Sequence, residues 1–244
     1  MAVSIVQSTT GAGATLVLNG VAAGNALIFI DSYYRGTSTG VGEAVPTDSN
    51  GTFLAAVNAV PATNSGADIG VGIFYQQNVA SGTHTVTPQA NDDHHSTLIE
   101  FSGLVTSGMF VAGSKNSANV NDSSETSQVT GTTATAAAIG DLMVIAFCCG
   151  NFGTGTTNMG LTDPISGFTT AYVMQNNKSD LAAMQCYGTA AAATTQSATF
   201  NWTDNGGGNE CIQAAIATFV AGTGGAAAQV PYNQARIFQP FIAQ

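Results

Sequence analysis

The sequence GNALIFI, from Gly24 to Ile30, returns in altered form as GDLMVIA at Gly140 to Ala146, and this repeat is the main indication of the fold. Each copy enters a short apolar run through Gly followed by Asn or Asp. Runs of this length, bounded by turn residues and rich in β-branched and aromatic side chains, are typical of strands buried on both faces. The rest of the chain can be arranged around these two predicted central strands.

Segments in matching order follow the two central strands. The turn TDSNGTF begins at Thr47 and TDPISGF begins at Thr162, so their offset of 115 (162 − 47) is close to the offset of 116 (140 − 24) between the central strands. Each half then ends on a strand closed by Phe, at Phe101 and at Phe219. The sequence therefore predicts an internal duplication. Two large copies do not form a solenoid array, which requires at least about three short repeats.

Strand and turn signals continue along almost the whole chain, and no convincing amphipathic helix is present. Evenly spaced strands with Gly-rich turns predict an all-β protein, a β-sandwich or jelly-roll-like fold built from two related halves. We predict a first half over 1–113, whose first strand is Ala14 to Leu18, a connection rich in Ser and Asn over 114–126, and a second half over 127–221. The halves either pack together as one sandwich or form tandem sandwiches.

Charged residues make up only 7% of the 244-residue chain, against about 25% in an average globular protein. Hydroxyl and amide groups are therefore expected on the outer faces of the strands. The net charge of −10, with only 4 Lys and Arg, disfavours binding to nucleic acid and to anionic membrane surfaces. No run has the length of a membrane-spanning helix, and Met1 to Gln7 lacks the regions of a signal peptide.

GNALIFI, TDSNGTF, IFYQQNVASGTHTVT and LIEFSGL resemble a β-sandwich module of bacteriophage structural proteins, which is also seen in bacterial surface proteins. IGDLMVIAF, GFTTAYV and ATFNW are similar to the latter part of this module. The resemblance implies a non-enzymatic virion protein: a tail or fibre component, or a capsid decoration. Its implied partners are copies of itself and other virion proteins, and its implied location is the virion, assembled in the host cytoplasm. The alternative is an adhesion module for a host glycan or receptor.

Aromatic side chains supply the candidate glycan contacts, because exposed rings stack on the apolar faces of sugars. Tyr33, Tyr34 and Trp202 are the predicted contacts. The alternative is that these rings belong to the core or to the sandwich edge.

Few residues indicate catalytic or metal chemistry. The densest polar stretch is Asp92 to His95, and His with Asp can hold a transition metal, although polar loop tips are normally only solvated. The sequence contains neither GxSxG nor HExxH, so we predict no enzyme activity and no cofactor. The four cysteines lie in apolar strands and are predicted to be buried thiols. A Cys186–Cys211 disulfide is the alternative.

The C-terminal residues have no counterpart after the first half. TGGAAA, from Thr223 to Ala228, has the composition of a flexible linker, so we predict a linker and an extended arm over 222–244. Extended apolar segments bind grooves or sheet edges. We therefore predict an assembly arm that docks on a neighbouring subunit; the alternative is an arm that covers an edge of its own sandwich. The predicted contact residues are Val230, Tyr232, Ile237, Phe238, Phe241 and Ile242.

Overall fold

The computed structural model describes residues 2–13, 15–64, 67–89, 93–121, 126–151, 160–163, 165–174, 181–203 and 210–222. These residues form strands and loops without any helix, which confirms the all-β prediction. Within this part of the chain there is accordingly no helix long and apolar enough to span a membrane.

The described part of the first half contains ten strands. They are β1 (Ser4–Ala12), β2 (Leu16–Val21), β3 (Ala26–Arg35), β4 (Thr47–Asp48), β5 (Gly51–Thr52), β6 (Leu54–Asn58), β7 (Ala62–Asn64), β8 (Ala67–Gln76), β9 (Gly82–Thr87) and β10 (Asp93–Ser102). The larger sheet has the order β1-β10-β3-β8-β6, with β7 also on β8, and the smaller sheet has the order β2-β9-β4-β5. The consecutive strands β1 and β2 thus pair with β10 and β9 in two separate sheets, which is the winding of a jelly roll.

Eight strands are described in the second half. They are β11 (Phe110–Asn121), β12 (Ser127–Val129), β13 (Leu142–Asn151), β14 (Gly160–Leu161), β15 (Thr169–Met174), β16 (Leu181–Thr189), β17 (Thr199–Thr203) and β18 (Glu210–Phe219). The larger sheet is β11-β18-β13-β16-β15 and the smaller sheet is β12-β17-β14. Because β11 pairs with β18 as β1 does with β10, and β12 with β17 as β2 does with β9, the two halves are related jelly rolls.

The turn before each central strand is built in the same way. In the first half, Gly24 N donates to Val79 O and Val79 N donates to Asn25 O, both at 3.0 Å. In the second half, Ala190 makes the same two bonds with Gly140 N and Asp141 O, both at 2.9 Å. Both glycines have a positive φ, +85° and +90°, which side chains with a Cβ rarely adopt. This shared geometry explains why the repeated sequence begins with Gly-Asn or Gly-Asp.

The halves pack through the faces of their larger sheets, which gives four layers. The central core between the larger sheets combines residues of both halves, including Ile28, Ile30, Ile73, Val144, Ala215 and Phe219. Each half also has its own core between its larger and smaller sheet. These cores include Leu27, Phe29, Phe74 and Val86 in the first half and Ile145, Phe147, Phe200 and Trp202 in the second. Since β3 and β13 have a core on either side, both are apolar along successive residues.

Two glutamines of the second half bind the backbone of the first. Gln213 accepts a hydrogen bond from Val71 N and donates one to Val60 O, each at 2.7 Å. Val71 lies between the residues of β8 that pair with β6 and those that pair with β7, so the glutamine bonds to β8 where its outer ladder is interrupted. Gln185 donates to His95 O at 2.6 Å and to the hydroxyl of Ser32 at 3.1 Å. These directional bonds fix how the two larger sheets sit against each other.

The edge strands of the two larger sheets, β1, β6, β11 and β15, share an irregularity in their pairing. Register shifts occur at Ile5/Gln7, Ala55/Val57, Phe110/Lys115 and Thr170/Tyr172. A bulge at an edge bends the strand and hinders the addition of a strand from another molecule. The larger sheets are therefore poorly suited to edge-to-edge association.

The predicted domain boundary at 113/114 is wrong, because it divides a strand. Residues 114–121 belong to β11, an edge strand of the second half, and not to a connection. The predicted first strand corresponds to β2, whereas β1 precedes it as an edge strand of the first half. Edge strands pair on one side only and expose alternate residues, so their sequences lack the apolar runs of central strands.

Candidate functional site

Five charged side chains are buried together at one end of the first half's own core. β3 carries Asp31 and Arg35, β8 carries Asp68, β10 carries His94, and Glu43 comes from the loop after β3. We call these five residues the charged cluster. None is more than 6% exposed. Because buried charges are costly unless they are paired, the contacts within the cluster indicate its role.

Asp31 and His94 form the shortest contact of the cluster, with 2.6 Å between Oδ2 and Nδ1. Ser96 Oγ donates to the other oxygen of Asp31 at 2.8 Å, and Nε2 of His94 lies 2.7 Å from the carbonyl of Gln89. Both ring nitrogens thus face acceptors. Burial acts to lower the pKa of His94, but the hydrogen bond and the charge of Asp31 outweigh it and raise this pKa to about 9.

These contacts do not activate a nucleophile. A serine becomes a nucleophile when it donates to a base such as histidine, whereas Ser96 donates to Asp31. His94 is bonded to Asp31 and to Gln89 and not to a hydroxyl. The arrangement stabilises a charged imidazole.

Arg35 contacts two carboxylates of the cluster and also the loop that follows β3. Its guanidinium lies 3.4 Å from Glu43 and 3.7 Å from Asp68, and it donates to the hydroxyl of Thr39 at 2.7 Å. Asp68 also accepts hydrogen bonds of 2.8 Å from Thr39 N and from the hydroxyl of Thr63. Burial alone would raise the pKa of Asp68, but these hydrogen bonds lower it. The loop is therefore held over the cluster by charge-assisted contacts.

The Tyr33 hydroxyl is buried beside the cluster and has no hydrogen-bond partner among the described residues. The ring lies 5.3 Å from the guanidinium carbon of Arg35 and 6.4 Å from the ring of His94, measured from the centroid of Tyr33. It also covers Gly70, where a Cβ would overlap the phenol. Burial and the negative charge of Glu43 raise the pKa of Tyr33, so its hydroxyl keeps its proton.

Among the residues that the structure describes, the second half has no equivalent of the Asp31–His94 pair and its partner Ser96. The β3–β10 ladder begins at Phe101 and the β13–β18 ladder at Phe219, each opposite the first residue of the central strand. Counting along these ladders from that end gives the counterparts of Asp31, His94 and Ser96. They are Phe147, Ile212 and Ala214, which are buried in the second half's own core. The fold therefore does not require polar residues at these positions.

Comparison with protein-family models, with curated proteins and with solved structures finds no match. The role of the charged cluster is therefore inferred from its own contacts. Sequence patterns did not indicate Asp31, Glu43 or Asp68 as site residues. The signal that could have found two of them is a carboxylate inside an apolar run, as in LIFID and ADIGVGIF.

Two of the three predicted glycan contacts are buried. Tyr33 is 0% exposed and Trp202 is 3% exposed, and the indole of Trp202 lies 5.3 Å from the ring of Phe147. Tyr34 is partly buried and packs against the central core. A buried ring cannot stack on a sugar, so the predicted role is wrong for Tyr33 and Trp202.

The polar stretch from Asp92 to His95 is divided by the structure. Asp92 lies outside the described residues, and Asp93 is exposed at the start of β10. His94 belongs to the charged cluster, whereas Nδ1 of His95 lies 2.9 Å from the hydroxyl of Tyr172 in the other half. Side chains alternate along a strand, so adjacent histidines serve different surroundings.

The four cysteines are buried, as predicted. Cys186 lies in the core of the second half and Cys211 lies in the central core, on the opposite face of the same sheet. The alternative of a Cys186–Cys211 disulfide is therefore wrong. Cys148 and Cys149 are divided between the same two cores.

Proposed function

We propose that this chain is a non-enzymatic structural protein of a bacteriophage virion, a decoration, tail or fibre component that associates with copies of itself and with other virion proteins. The observation that carries the proposal is the duplicated jelly roll packed as four sheet layers. Jelly rolls are a common building unit of viral capsid proteins, and they also occur in lectins and cupins. The fold alone does not assign the role, so the surfaces have to support it.

The outer faces of the smaller sheets support an assembly role because they carry few charges. Val17 lies opposite Thr85 on the first half, and Val129 lies opposite Thr199 on the second. Their exposed neighbours on these strands are mostly hydroxyl and amide residues, including Asn19, Thr83, Thr87, Asn201 and Thr203. Charged residues are depleted at interface cores, since burying a charge requires its desolvation. Both ends of the four-layer block therefore suit contact with neighbouring subunits.

The register shifts at the edges of the larger sheets are consistent with this role. A protein present at high local concentration in a particle has to avoid uncontrolled strand addition, and bulged edges hinder it. Association is then directed to the sheet faces and to the C-terminal arm.

The arm is the second contact that we propose. Its predicted contact residues lie outside the described residues, and they are Val230, Tyr232, Ile237, Phe238, Phe241 and Ile242. Exposing six large apolar side chains to water is unfavourable, at about 25 cal/mol for each Å². Docking in a groove of a neighbouring subunit removes this cost and links the subunits.

Light scattering of the full chain and of a chain lacking residues 229–244 tests the proposal. The full chain should form oligomers of defined size. The shortened chain should keep its melting temperature within a few degrees but lose the larger assemblies. A matched control keeps the length of the arm and replaces its six apolar contact residues with Ser; it should behave like the shortened chain.

Two results would contradict parts of this proposal. Normal assembly of the shortened chain, or its outright unfolding, would refute the intersubunit role of the arm. A full chain that stays monomeric at every concentration would refute the structural role itself.

A further inference from the structure

We propose that the charged cluster binds one divalent transition-metal ion, with His94, Asp31 and Glu43 as its protein ligands. One ligand atom of each residue lies within 4.8 Å of the other two. Zn²⁺ holds its ligands at about 2.1 Å in a tetrahedral arrangement, which places neighbouring ligand atoms about 3.4 Å apart. Nδ1 of His94 and Oδ2 of Asp31, which lie 2.6 Å apart, would have to separate to admit the ion, and Glu43 would complete the set by a small side-chain movement.

Outer partners already orient the three ligands. Gln89 O lies 2.7 Å from Nε2 of His94, Ser96 donates to Oδ1 of Asp31 at 2.8 Å, and Arg35 lies 3.4 Å from Glu43. A metal-binding histidine usually donates its second N–H to a carbonyl or carboxylate, and ligating carboxylates are themselves hydrogen-bonded. This pattern leaves Nδ1 of His94 and Oδ2 of Asp31, which face each other at 2.6 Å, as the atoms that would meet the ion.

The Tyr33 hydroxyl gives an independent indication of a ligand. Tyr33 is 0% exposed, and its hydroxyl has no hydrogen-bond partner among the described residues. Buried hydroxyls almost always have one. The centroid of the Tyr33 ring lies 5.3 Å from the guanidinium carbon of Arg35 and 6.4 Å from the ring of His94, and the hydroxyl lies over Gly70 of β8. A water molecule on the bound ion would supply the missing partner.

The charges of the cluster match a divalent ion. With His94 neutral, as a ligand must be, the three carboxylates and the one guanidinium leave two negative charges, which a divalent cation neutralises. Binding would replace the proton between His94 and Asp31, and that proton would pass to the solvent. Because the positions equivalent to Asp31 and His94 in the second half hold Phe147 and Ile212, the needs of the fold do not explain this polar pair.

The ligand types favour a transition metal over calcium. Imidazole nitrogen suits Zn²⁺ and its first-row neighbours, whereas Ca²⁺ prefers six to eight oxygen ligands. Zn²⁺ is therefore the probe for this site.

Isothermal titration of the EDTA-treated full chain with Zn²⁺ tests the proposal. We expect one Zn²⁺ per chain, with Ca²⁺ binding at least ten-fold more weakly. Loss of an outer partner typically weakens metal binding about 10–100-fold, so Glu43→Gln, which removes a ligand, should weaken it by about 100-fold or more. The matched control is His84→Gln, because His84 also lies 2.6 Å from a carboxylate, that of Asp48, but no third ligand group joins this pair among the described residues. The control should bind Zn²⁺ like the unchanged chain.

Imidazole NMR signals of the unchanged chain give a second measurement that needs no variant. Zn²⁺ should shift the signals of His94 and leave those of His84 in place. Binding of less than one Zn²⁺ per chain, unchanged affinity in Glu43→Gln, equal affinity for Ca²⁺, or an unshifted His94 signal would each overturn the proposal.

Discussion

Gln213→Ala is the substitution that most directly probes how the two halves hold each other. Gln213 is 1% exposed, and its amide bonds to Val71 N and Val60 O at 2.7 Å each. Val60 O keeps a longer contact, 3.4 Å from Asn119, so the main loss is the acceptor of Val71 N. Leaving a buried N–H without a partner costs about 1–3 kcal/mol, and the lost methylene adds about 0.8 kcal/mol. We therefore expect the free energy of unfolding to fall by about 2–4 kcal/mol.

Urea unfolding and amide hydrogen exchange measure this effect. The exchange of the Val71 amide should speed up, although the substituted residue lies in the other half. The control is Gln128→Ala, because Gln128 is also buried but, among the described residues, donates to the carbonyl of the adjacent Val129 within its own half. Its loss should cost less, about 1–2 kcal/mol for one methylene and one hydrogen bond. If Gln213→Ala costs no more than Gln128→Ala, or if Val71 keeps its protection, the glutamine contact between the halves does not stabilise the fold as inferred.

Three further predictions concern the core, the acid response and the thiols. Phe29→Ala should cost about 3–5 kcal/mol in urea unfolding, against about 0.5 kcal/mol or less for the exposed Val17→Ala; equal costs would contradict the placement of β3. Because the pKa of Asp68 is lowered from 3.8, its stabilising contribution is present above about pH 4 and is lost as the pH falls through the lowered value. Asp68→Asn should therefore destabilise the protein at pH 7, and the urea midpoints of the variant at pH 7 and pH 3 should differ less than those of the unchanged chain. An unchanged difference would argue against a stabilising role for the hydrogen bonds that Asp68 accepts from Thr39 and Thr63. Thiol titration in denaturant should give four reactive groups with or without prior reduction, and fewer without reduction would indicate a disulfide.

The central strands were predictable because both are buried on two faces. β3 and β13 lie between two cores, so GNALIFI and GDLMVIA are continuous apolar runs. The turn before each run has a positive φ at Gly24 and Gly140. Because this backbone conformation favours glycine, both copies begin with Gly. The duplication could be recognised from these constraints alone.

The edge strands were not predictable from apolar pattern. β1 has the sequence SIVQSTTGA and β11 the sequence FVAGSKNSANVN, in which polar and small residues outnumber apolar ones. Each pairs with a single neighbour in its sheet. Backbone hydrogen bonds to that neighbour stabilise the strand, and these bonds leave no apolar pattern in the sequence. The same cause explains both the missing first strand and the misplaced boundary.

The charged cluster was only partly accessible from the sequence. His94 belongs to a visible polar stretch, but its partners Asp31 and Glu43 lie 63 and 51 positions earlier (94 − 31 and 94 − 43). The register of β3 with β10 brings Asp31 and His94 together, and that register is a property of the folded sheet. The spacing of these residues along the chain therefore does not predict that they lie close together.

Negative-stain imaging of the purified full chain is the measurement that tests the proposed structural role most directly. We expect particles or filaments with a regular repeat, formed without any added ligand, in which each unit is a compact four-layer block. Isolated single blocks at every concentration, without regular association, would contradict it.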